Sequence, residues 1–178
     1  MKTRVVAEGP VDALILESVL NQVLSSEGFD VMVAGGMSPA MSLSRSILAT
    51  TQSRVAVVVD DNFMRAGETD AKVVIEKSLA LVADSARFQV FVVRPQFEIV
   101  LFRDRGVCES IFGRLTNEQY QRALIEPKGV LSELMRKPIG FQSGYKRFLQ
   151  EYLAEKDLRP IAKVDPFPSL IDFLKAGA

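Results

Sequence analysis

The chain has 178 residues, about one domain's worth, and its 48% hydrophobic content is ordinary for a globular protein with a real core. Its 22 basic and 22 acidic side chains cancel, so no global basic field announces nucleic acid. With no histidine and a single cysteine, Cys108, the chain excludes a Ser-His-Asp triad, a Cys-His dyad, the usual zinc ligand sets and an internal disulfide. General acid–base work then falls to carboxylates, lysine, tyrosine or metal-bound water. One cysteine fits a reducing compartment, no apolar run approaches the roughly 20 residues of a membrane span, and the N-terminus lacks a signal-peptide core. The expectation is a cytoplasmic protein with no membrane association. Residues 1–90 carry 8 basic and 11 acidic side chains and residues 91–178 the other 14 and 11. That asymmetry reads either as chance or as a basic C-terminal wall beside an acidic site.

Residues 3–7 are Val-rich and predict a buried parallel strand. Over 10–26, Val11, Leu14, Ile15, Val19, Val23 and Leu24 recur at helical spacing, with Pro10 suited to a first turn and Gly28 a stop signal. Residues 29–34 predict a second strand, Gly35-Gly36 a turn, and Ser38-Pro39 the opening of a helix to about Thr50. Val55 to Val59 is the most hydrophobic strand. A polar loop over 62–69 leads to a helix over 70–84, with Asp70 near its start, and 88–93 predicts a fourth strand. Strands alternating with amphipathic helices predict an α/β, Rossmann-like fold: a mostly parallel four-stranded sheet flanked by helices with right-handed crossovers.

After Pro95 the character changes. Residues 97–102 read equally as a short strand or the first turn of a helix. Helical segments follow at about 106–113, 117–124, 128–136, 143–155 and 167–175, punctuated by Pro127, Pro138-Ile139-Gly140 and Arg159-Pro160. The expected organisation is an α/β core over 1–102 with a helical extension over 103–178 packed on it as one compact unit. Phe141, Phe148, Tyr152, Phe167 and Phe173 read as the apolar seam that seats this extension. Cys108 reads as a half-buried helix residue without nucleophilic surroundings.

The chemistry-bearing pattern is acidic. Glu8 follows the first strand, Asp12 lies one helical turn beyond it, and Asp60-Asp61 close the third strand. Carboxylates at the C-terminal ends of parallel strands converge on the crevice where open α/β sheets bind ligands, and converging oxygens suit a hard divalent cation such as Mg²⁺. Each residue also has a plain structural reading. Strand-end acids sit in solvated loops, Asp12 complements a helix N-terminus, Asp60-Asp61 can cap a turn, and Glu98 can be a surface charge. Neighbouring strand residues point to opposite faces, so Asp60 and Asp61 do not both enter one site while the strand continues. Gly35-Gly36-Met37-Ser38 before a helix could cradle an anion, but it lacks the lysine of a P-loop. Tyr120, Tyr145 and Tyr152 read as packing residues, and Arg136, Lys137, Lys146 and Arg147 as a solvated face or a phosphate track.

Val6-Ala7-Glu8-Gly9-Pro10-Val11-Asp12 after a Val-rich strand, with Val58-Val59-Asp60-Asp61-Asn62 after a later one, resembles the TOPRIM domain. That is the metal-binding module of bacterial primases, type IA and II topoisomerases and OLD-family nucleases. Gly35-Gly36 before a helix and Pro95-Gln96-Phe97-Glu98 make the resemblance nearest to stand-alone OLD-like members. It covers about residues 1–102. The resemblance implies Mg²⁺ (or Mn²⁺) held by Glu8, Asp12, Asp60, Asn62 and Glu98, with Asp60 the principal ligand and Glu8 a ligand or general acid/base. It implies nucleic-acid phosphodiester chemistry of the nuclease kind, and a protein partner, ATPase-like in that family. Asn62 stands where the pattern has a second Asp, which lowers the site's negative charge and predicts weaker metal binding. The competing expectation is a non-catalytic binding module that keeps the fold and acts with a protein partner. A receiver- or flavodoxin-like domain fits less well, because a single Glu8 follows the first strand and Arg94 stands at the end of the fourth where a receiver has lysine.

Overall fold

In the computed structural model, residues 2–24, 28–61, 70–135 and 142–177 are described, with 142–145 through their backbone alone. Four strands, β1 (Thr3–Ala7), β2 (Phe29–Val33), β3 (Val55–Asp60) and β4 (Phe88–Val93), form one sheet in the order β2-β1-β3-β4. Every neighbouring pair is parallel, with Arg4 opposite Val55, Ala7 opposite Val58, and Asp60 opposite Val93. The fold is the expected α/β, Rossmann-like arrangement, and among the described residues its sheet is parallel throughout.

Strand alternation divides the core into two layers. Val5, Ala7, Ala56, Val58, Phe91 and Val93 face one way. Val6, Val55, Val57, Val59, Phe88 and Val90 face the other. The second layer is closed by α2 (Met37–Thr50) and α3 (Ala71–Ala80) through Ala40, Leu48, Ile75 and Leu79. The first is closed by α1 (Pro10–Val23) and by the helices after β4: α4 (Arg105–Phe112), α5 (Asn117–Ile125), α6 (Pro127–Leu134), α7 (Gln142–Ala154) and α8 (Phe167–Lys175). Residues of 103–178, including Cys108, Leu131, Leu153 and Phe167, share one continuous apolar cluster with β1, α1 and β3. Phe148, Tyr152 and Phe173 pack on that cluster as the sequence suggests, while Arg136, Lys137 and Phe141 lie outside the described residues. Cys108 is fully buried rather than half-buried, and burial pushes its thiol up to about 12, which leaves it unreactive near neutral pH. Among the described residues no helix is long and apolar enough to cross a membrane.

Several boundaries differ from expectation for local reasons. Helix α1 ends at Val23, because Leu24 is already extended. Helix α2 begins one residue before Ser38, because Gly35 and Gly36 adopt φ of 90° and 135° and turn the chain directly into it. Helix α3 begins at the Asp70 cap, whose carboxylate accepts the Lys72 N–H at 2.9 Å, and stops at Ala80. The Asp84 side chain then caps a 3₁₀ turn over Ser85–Arg87. Residues Phe97–Leu101 form a 3₁₀ turn with all five side chains buried, packed against α1 and α6.

Candidate metal centre

Alternation along β3 decides where the paired aspartates go. Asp60 follows Ala56 and Val58 onto the side covered by α1, and Asp61 follows Val57 and Val59 onto the side covered by α3. On the α1 side, Asp60 meets Asp12 from the first turn of α1 and Glu98 from the 3₁₀ turn after β4. One carboxylate oxygen from each lies within 4.8 Å of the others. Asp12 is 7% exposed and Glu98 3%. Two oxygens on opposite sides of an oxygen-ligated cation lie about 4–5 Å apart, twice the metal–oxygen distance, so these three fit one ion.

Each carboxylate is set by its backbone. The Gly9 N–H donates to Asp12 Oδ2 at 2.8 Å, and a Cβ on Gly9 would stand 3.1 Å from that same oxygen, so a side chain there would have to shift the Asp12 carboxylate by a few tenths of an ångström. The Asp60 N–H donates to Glu8 Oε2 at 3.0 Å, and the next N–H, of Asp61, donates to the Val93 carbonyl at 2.9 Å. Glu8 is itself fixed: its carbonyl accepts the N–H groups of Gly35 and Gly36 at 2.9 and 3.0 Å. Its carboxylate stands outside the close triad and braces the Asp60 backbone.

The electrostatics are those of clustered carboxylates with little positive charge beside them. Burial, then the charges of Asp12, Glu98 and Glu8, push the Asp60 carboxyl up to about 8 against a hydrogen bond from the Phe97 backbone. Burial raises Asp12 and Glu98 as well. Among the described residues, Asp60 Oδ1 is buried without a hydrogen-bond partner. A buried oxygen left unpaired is costly, and a bound cation would satisfy it. The set has no nitrogen or sulfur ligand, which suits hard ions such as Mg²⁺ or Mn²⁺ over zinc or copper.

Of the residues singled out in the sequence, the structure thus brings together Asp12, Asp60 and Glu98 and leaves Glu8 beside them. Asn62 lies outside the described residues. Asp61 is turned away to Arg94, with Oδ2 accepting from Nε at 2.7 Å. Sequence reasoning missed Lys128. This exposed residue in the first turn of α6 draws the Asp12 and Glu98 carboxyls downward by its charge, yet it makes no ion pair among the described residues. A lysine at a helix N-terminus opposes the helix dipole, a local sign that its charge answers to something outside its own helix. A separate cavity of about 290 Å³, lined by Asp70, Lys72, Gln89, Arg94, Asp165 and Ser169 among others, runs along β4 and includes none of the triad.

Comparison with protein-family models finds no match, and comparison with curated proteins finds none either.

Proposed function

We propose that this chain binds Mg²⁺ or Mn²⁺ through Asp12, Asp60 and Glu98 and performs metal-dependent phosphodiester chemistry on nucleic acid, in the manner of the TOPRIM proteins its sequence resembles. The observation that carries the metal reading is the Oδ1 of Asp60, buried and without a partner among the described residues, in a triad of carboxylates within 4.8 Å. A bound divalent ion would supply charge stabilisation at the phosphoryl group and a more acidic water. The chain's own residues would do the rest. Asp12, Asp60 and Glu98 hold the cation; Glu8 fixes Asp60 through its backbone N–H and stands as ligand or general base at the rim. Lys128, without an ion pair among the described residues, would offer its ammonium to a phosphate oxygen, and Asn62 would add a neutral oxygen. A reducing, cytoplasmic setting is part of this reading, since the sole cysteine is buried as a thiol.

The test is thermal melting with and without Mg²⁺ or Mn²⁺, followed by cleavage assays on single- and double-stranded DNA and RNA. The expected result is a metal-dependent rise in Tm, absent in Asp60→Asn, and cleavage that requires both the metal and Asp60. No rise at millimolar metal overturns the reading. A second reading, a binding module acting with a protein partner, draws support from Asp61. Its carboxylate is committed to Arg94 and cannot replace the acid missing at Asn62. That reading predicts a metal-dependent Tm shift and nucleic-acid binding without cleavage.

A further inference from the structure

Asp60 can serve the triad only while the end of β3 keeps its register and rotation. Its own N–H is held by Glu8 and the next by Val93. The third anchor is a side chain. Asp61, 10% exposed, is gripped by Arg94 at 2.7 Å on the face opposite the triad, and a second arm of the same guanidinium lies 3.8 Å from the Asp70 carboxylate that caps α3. Arg94 also stands four residues before Glu98, at the root of the segment that delivers it. One guanidinium therefore joins the strand that presents Asp60 to the turn that presents Glu98. We propose that Arg94 is a positioning residue of the metal centre: by holding Asp61 on the α3 side of the sheet, it keeps the Asp60 carboxylate aimed at Asp12 and Glu98.

This role rests on the metal reading above and differs in its consequences from an ordinary ion pair. Arg94 is 45% exposed, and an ion pair with one partner that open to solvent contributes little to stability. A merely structural pair would leave metal affinity untouched. Residues that orient metal ligands from behind typically change affinity by about 10–100-fold when removed.

The experiment is Mn²⁺ titration by calorimetry, with Mn²⁺ electron paramagnetic resonance, on the full chain and its Asp60→Asn, Arg94→Met, Arg94→Lys and Asp61→Ala variants. The expected result is a wild-type site lost in Asp60→Asn and a Kd raised about tenfold in Arg94→Met, with an altered resonance line shape. Arg94→Lys should recover part of the affinity, and Asp61→Ala combined with Arg94→Met should be no weaker than either alone. Wild-type Kd and line shape in Arg94→Met overturn the positioning role whatever happens to its Tm. Should that variant fail to fold, wild-type affinity in Asp61→Ala overturns it equally. Mn²⁺ binding that is absent in the wild type, or indifferent to Asp60→Asn, overturns the metal reading and the positioning role with it.

Discussion

At the scale of single residues Asp60 is the centre of the proposed site, and its titration gives the first prediction. Its carboxyl sits near the ordinary range when unfolded and at about 8 when folded, raised by burial and by neighbouring acids. The folded state then holds a proton that the unfolded state releases. The metal-free protein should lose stability as pH rises from about 4 towards 8, the reverse of a salt-bridged aspartate. Melting curves across that window should slope downward for the wild type and flatten in Asp60→Asn, which should also melt higher than the wild type at pH 8 without metal. Metal affinity should climb over the same interval, because the cation competes with protons. A second prediction concerns Gly9→Ala. Its Cβ would press on Asp12 Oδ2 at 3.1 Å. Calorimetry should find Mn²⁺ affinity reduced several-fold with a fold that circular dichroism cannot distinguish from the wild type. A third concerns Lys128→Gln. Mn²⁺ should bind as well or better once a nearby positive charge is gone, while nucleic-acid affinity measured against salt should fall with a slope smaller by about one. An unchanged slope would remove Lys128 from the phosphate path.

At the scale of elements, the strands were legible because a buried parallel sheet writes itself as short Val-rich runs. β1 and β4 occupy 3–7 and 88–93 as their composition predicts. The carboxylate positions were legible where they attach to such runs, which is why Glu8, Asp12 and Asp60 stand out in the sequence. Residues 97–102 were not assignable, since a short apolar run buried on all sides carries neither the strand nor the helix period. The structure makes it a 3₁₀ turn held by α1 and α6, and its packing sets Glu98 in place. Phe97 is fully buried with its ring edge-on to Phe167 at 6.1 Å. Phe97→Ala should therefore cost about 3–5 kcal/mol in chemical denaturation. Because Glu98 is the next residue, it should also weaken Mn²⁺ binding, whereas an equally buried truncation away from the site, Leu153→Ala, should destabilise without changing affinity once metal binding is measured on the folded fraction. The roles proposed for Arg94 and Lys128 escaped the sequence for a different reason. The partners of Arg94 lie 33 and 24 positions upstream, and Lys128 acts on Glu98 from 30 positions away, separations that only topology closes.

At the scale of the whole molecule, sheet order brings the chemistry together. With β1 and β3 adjacent and β4 outside β3, the C-terminal ends of three neighbouring strands open on one edge, where the last residue of β3, the first turn of the helix after β1 and the 3₁₀ turn after β4 present Asp60, Asp12 and Glu98. The helices beyond β4 close the α1 side of that edge and contribute Lys128, so residues 103–178 shape the site as well as the core. The overall charge of zero hid this polarity, because two buried acids and the half-buried Asp60 count for no more in the sum than acids on the surface. The most direct measurement is a crystal structure of the full chain grown with Mn²⁺ and read by anomalous scattering. The account predicts one ion within about 2.1–2.5 Å of an oxygen from each of Asp12, Asp60 and Glu98. A saturated crystal with no anomalous peak among those three carboxylates would contradict it.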